Sequence, residues 1–73
     1  MAEQRVIDGR DLVPPEPLEL TLEALDSMGP GDELLLLVFC DPVPLYNILD
    51  RNGYRHSSRW LEDGTNEVRI TKA

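Results

Sequence analysis

The run ELLLLVFC, residues 33 to 40, constrains this chain more than any other stretch. Its apolar residues are continuous rather than alternating, so side chains on both faces of the strand must be kept from water. A stretch of this length is far too short to span a bilayer. It suits a central strand in a largely parallel sheet, and such a strand needs neighbours on both edges.

The remaining sequence supplies them. RVID (5–8) reads as a short first strand. A helix follows from about Pro15 to Met28, with Leu18, Leu22, Leu25 and Met28 as its apolar stripe. Glu16, Glu19 and Glu23 lie in its first turns, where they favour the positive end of the dipole, and GPG (29–31) terminates it. After the apolar run, Asp41 reads as an N-cap and Pro42 as the first residue of a second helix, about Pro42 to Asn52. Gly53 closes that helix. The end is a hairpin: YRHSSRWLE alternates, Asp63-Gly64 turns, and NEVRITK returns with Val68 and Ile70 on one face. The order is β-α-β-α-β-β. Right-handed crossovers in one direction put both helices on the same face, giving an α+β two-layer sandwich with a mixed four-stranded sheet.

The second sheet face then has no helix over it. Leu35, Leu37 and Phe39 point opposite to Leu34, Leu36 and Val38, so one set lies on the uncovered side. Such a patch offers a route to self-association as a homodimer or to partner docking, unless Trp60 or arginine stems cover it.

Seventy-three residues allow one domain, 1–73, with a small core. The opening MAEQRVIDGR has no apolar segment of the signal-peptide kind. One cysteine excludes an internal disulfide and points to a reducing, cytoplasmic setting. Fourteen acidic against seven basic residues give a net charge of −7. That balance disfavours nucleic acid and anionic membranes, and fits a basic protein partner or simple solubility.

IDGRDLVPPEP (7–17) resembles the first-helix motif of the TusA/SirA-like sulfur-carrier superfamily, L-D-x-x-G-L-x-C-P-x-P, with Asp8, Leu12, Pro15, Glu16 and Pro17 in register. PGDELLLLVFCDP (30–42) is similar to the same family's turn, second strand and Asp-Pro helix start. The resemblance covers almost the whole chain and implies that family's fold. Two positions depart from it. Asp11 stands in place of a glycine, and Pro14 stands where members have the cysteine that carries a persulfide. The resemblance is therefore to an uncharacterised branch of the superfamily, one without the sulfur atom at that position.

Prolines at the start of a helix fix φ and lack an N–H where the helix offers no intrahelical partner. A terminus pre-set in this way can hold a cysteine or present a docking surface. Without the cysteine, the docking role is the leading expectation: a non-catalytic interaction module, with no cofactor. Its partner-facing edge would carry Asp8, Arg10, Pro14, Pro15, Glu16 and Pro17, joined by Asp41 and Pro42. The alternative is a thiol or persulfide carrier that uses Cys40. A thiol beside a helix N-terminus is placed for nucleophilic chemistry. Against it stand the adjacent Asp41 charge and the tendency of lone strand cysteines to be small buried hydrophobes. One histidine, His56, with one cysteine makes a poor metal site, and no serine-histidine-acid arrangement is supported.

Overall fold

The strand β2 (Glu33–Val38) takes the inner position that its apolar run demands. The computed structural model describes residues 4–13 and 16–72. On one edge β2 pairs in parallel with β1 (Gln4–Asp8), and on the other it pairs antiparallel with β4 (Asn66–Lys72). β3 (Tyr54–Trp60) completes a mixed sheet in the order β1-β2-β4-β3. The helices α1 (Glu16–Asp26) and α2 (Val43–Arg51) follow β1 and β2 in the chain.

Leu34, Leu36 and Val38 are buried, and with Val68 and Ile70 of β4 they form one core. Leu25 and Met28, at and just beyond the end of α1, join them, as do Leu45 and Leu49 of α2. A single cluster fed by both helices places both on the same sheet face, as the crossover rule requires. The opposite face carries Val6, Leu35 and Arg69 in one cross-strand row. Val6 is exposed there, Leu35 and Leu37 are half-buried, and Arg69 pairs with Glu33 at 3.1 Å. Trp60 does not cover this face. It pairs with buried Asn66 and so stands on the helix side.

Three boundaries differ from the sequence reading. β2 stops at Val38, not Cys40, because its ladder runs out: β1 ends opposite Leu37 and β4 begins opposite Val38. Phe39 and Cys40 lie in the bend that follows, both exposed. The second helix begins at Val43, with Pro42 as its N-cap and Pro44 in its first turn. Asp41 therefore sits one residue outside, and its backbone carbonyl, rather than its carboxylate, accepts from Val43 N–H at 2.8 Å. α1 stops at Asp26; Ser27 and Met28 continue as a tighter turn, donating to Ala24 and Leu25 carbonyls at 3.2 and 3.1 Å. Gly53 and Gly64 close α2 and the hairpin at φ of 75° and 89°, a region where glycine has no Cβ to clash.

Candidate functional site

β1 and β2 are parallel, so the chain leaves both strands at the same rim of the sheet, and both helices start there. This is the edge at which open α/β sheets place their ligands. Between the helix starts lies an open cleft of about 450 Å³. Leu36, Val38 and Leu45 reach it from the core. Gly9, Arg10 and Leu12 border it after β1, Pro17 and Leu18 border it from α1, and Phe39 through Pro42 with Pro44 border it before and within α2.

The lining is mainly apolar, and proline chemistry explains why a site at two helix N-termini is so. Such termini ordinarily present free N–H groups and attract anions. Here Val43 N–H is taken by the Asp41 carbonyl at 2.8 Å, Pro44 has no N–H, and Leu45 and Tyr46 both donate to the Pro42 carbonyl, at 3.0 and 3.2 Å. At α1, Glu16 N–H donates to Val13 at 3.0 Å and Pro17 has none to offer. The prolines leave pyrrolidine rings where an anion site would have donors.

Arg10 is the one basic side chain along the cleft's described lining, and its charge is already engaged. Its Nε and Nη2 donate to the two carboxylate oxygens of Asp8 at 2.9 and 2.7 Å, and its backbone N–H donates to the same carboxylate at 3.2 Å. Asp63, in the β3–β4 turn, lies 4.0 Å away on the other side. The side-chain hydrogen bonds from Arg10, then the backbone bond, lower the Asp8 pKa to about 2. A folded value below the ordinary one, about 3.9, means a contribution present above that pH and lost as pH falls through about 2. Asp8 is expected to titrate near pH 2 in carboxyl-detected NMR and to move back up in Arg10→Gln. An ordinary midpoint in the unaltered chain would contradict the paired geometry.

Cys40 is exposed and borders the cleft, so the expectation of a buried strand cysteine does not hold. Its backbone is held from behind. Asn66, fully buried, donates through Nδ2 to the Cys40 carbonyl at 3.2 Å and to the Tyr46 hydroxyl at 3.4 Å. Burial raises the Tyr46 pKa. Tyr46 in turn stacks on His56 with centroids 4.8 Å apart, and His56 Nε2 lies 2.8 Å from Asp50. His56 is thus committed to the α2–β3 contact, away from Cys40.

Of the residues the sequence singled out, Arg10, Pro17, Cys40, Asp41 and Pro42 come together along the cleft, and Asp8 joins through Arg10. Glu16 begins α1, exposed and outside the lining. Pro14 and Pro15 lie outside the described residues. The docking edge read from the sequence also took in CDPVP (40–44), and Pro44 lines the cleft as well. Sequence reasoning did not single out Gly9, Leu12 or Phe39 as site residues; Leu12 stood only as part of the family resemblance.

The element order and the mixed sheet with both helices on one face define a SirA-like two-layer sandwich. The crystal structure of a SirA-like protein from Desulfitobacterium hafniense superposes with a TM-score of 0.84 at 25% identity, covering 94% of this chain and 97% of that one. Residues 6–72 match the model of DUF2249, described as an uncharacterized conserved protein, and the chain belongs to that family. No curated protein sequence matches this chain significantly.

Proposed function

We propose that this chain is a non-catalytic interaction module on a sulfur-carrier-like scaffold, and that it engages a protein partner through the cleft at the sheet's rim. The observation that carries this reading is the apolar cleft between two proline-rich helix starts. Its volume falls within the range of ligand-binding pockets, about 300–1,000 Å³. Pro14, standing where the resemblance puts the sulfur-bearing cysteine, supports a role without a persulfide at that position. A benzophenone maleimide on Val43→Cys, exposed beside the cleft, in a Cys40→Ser background, is expected to photo-cross-link one discrete host protein. The same label on Ser57→Cys, in the same background, reports the open sheet face and is expected not to. A partner captured only from Ser57→Cys moves the function to the other face.

A second reading is favoured by the exposure of Cys40 within the cleft. In it, the Cys40 thiolate attacks the terminal sulfur of a donor persulfide, the donor's S–S bond breaks, and the donor leaves as a thiolate while Cys40 becomes the persulfide. Incubation with a cysteine desulfurase and cysteine distinguishes the two. Gain of one sulfur atom in intact mass, lost in Cys40→Ser, supports the carrier; an unchanged mass leaves the interaction module.

A further inference from the structure

We infer that the cleft is selective for a basic peptide segment that presents an apolar anchor, a leucine, methionine or phenylalanine flanked by lysine or arginine. This rests on the proposed partner-binding role of the cleft and specifies the chemistry of the partner.

Two independent features point to it. The first is the shape and polarity of the cleft. At its helix starts Pro17 and Pro44 have no N–H, and the N–H groups of Glu16, Val43, Leu45 and Tyr46 are already engaged, which disfavours an anion such as a phosphate or a peptide carboxylate there. Phe39 is exposed at the border, and exposed Val13 and Val43 each adjoin a lining residue. An apolar depression with an apolar border suits a side chain buried as an anchor.

The second feature is the charge around it. Asp41 lines the cleft, Asp8 and Asp63 flank Arg10, and Asp11 also acts electrostatically on Arg10. Four carboxylates thus gather at this edge against the single guanidinium of Arg10, and Asp8 engages that guanidinium through both oxygens. The excess of three negative charges is a large share of the chain's net −7, gathered at the border of one cleft. A cationic segment is steered toward such a border and an acidic one is turned away, and the discrimination weakens with salt.

A random 12-residue peptide library displayed on phage tests the inference, selected on the whole protein at low salt. The counter-selection uses Cys40→Arg, which fills the cleft and lowers its negative charge, and Pro44→Arg as a second blocked form; circular dichroism checks that each variant folds. Selected peptides are expected to combine an apolar anchor with flanking lysine or arginine, and to lose binding on both blocked forms. Replacing the anchor by alanine is expected to weaken binding about thirtyfold, the size of an interface hot spot. Acidic or uncharged peptides that still require an open cleft would overturn the basic-partner inference while leaving the cleft as the partner site. Peptides that bind wild type and both blocked forms equally, or the absence of any cleft-dependent binder, would overturn both.

Discussion

Leu34→Ala is expected to lower stability by about 3–5 kcal/mol, and Leu36→Ala by about 2–3 kcal/mol. The two leucines have the same chemistry and almost the same burial, at 0% and 1% exposure, and they stand two residues apart on one strand. Their surroundings differ. Leu34 pairs with Ile70 and has no place in the cleft, so its removal leaves a sealed void that the sheet and helices cannot easily fill. Leu36 reaches the cleft, so its removal enlarges a space already open to solvent, and the lost contacts are fewer. A chain of 73 residues has roughly 4–11 kcal/mol to lose. At the lower end Leu34→Ala approaches half-unfolding at 25 °C, whereas Leu36→Ala stays folded. Urea unfolding followed by far-UV circular dichroism measures both, with an unchanged denaturant slope as the check that only stability has moved. Equal losses would erase the distinction between sealed core and open cleft, and a loss under about 1 kcal/mol at Leu34 would remove it from the core.

The readability of this chain follows from where each residue's neighbours lie. The inner strand, the Asp63-Gly64 turn and the Gly53 stop are set by local chemistry, and each stands where the sequence puts it. The end of β2 is set by its neighbours. Phe39 and Cys40 are as apolar as the residues before them, but no strand reaches far enough to pair with them. Thr21 and Asn66 fall outside any apolar pattern, yet both are fully buried. Thr21 satisfies its hydroxyl on the Pro17 carbonyl one turn earlier, at 2.8 Å, whereas Asn66 depends on groups 20 and 26 residues away. The first partner is local and the second pair is not, so only the finished fold explains the asparagine.

The candidate site shows the same division. The prolines were legible as helix starts because their effect on φ and on N–H donors is intrinsic. That two such starts share one rim follows from the parallel pairing of β1 with β2, which the order of elements implied. The apolar character of the space between them follows from a combination. Prolines remove donors on both sides, β2 ends short enough to leave Phe39 and Cys40 at the border, and Arg10 turns to Asp8. No single motif encodes that outcome.

Gly9→Val is expected to cost about 2–3 kcal/mol and to open the cleft. Gly9 is buried where the chain leaves β1, and its N–H donates to the Leu37 carbonyl at 2.7 Å. A Cβ at this position meets that carbonyl at 3.2 Å, a Val38 methyl at 3.2 Å and the Pro17 ring at 3.3 Å. These neighbours do not yield equally. The carbonyl is fixed by the ladder and by its bond to Gly9 itself, so Val38 and Pro17 must move. Displacing Pro17 shifts the first turn of α1, one border of the cleft. Alanine needs a few tenths of an ångström from each neighbour and is expected to cost about 1 kcal/mol; valine adds two methyl groups to a space with no room for one. Urea unfolding gives the stability loss, and the rate at which Cys40 reacts with a disulfide reagent in the folded protein gives the opening. Gly9→Val is expected to react faster than Gly9→Ala, and Gly9→Ala faster than the unaltered chain. A destabilised Gly9→Val with unchanged Cys40 reactivity would separate the packing of α1 from the shape of the cleft, and wild-type stability would show that the helix does not approach the strand this closely.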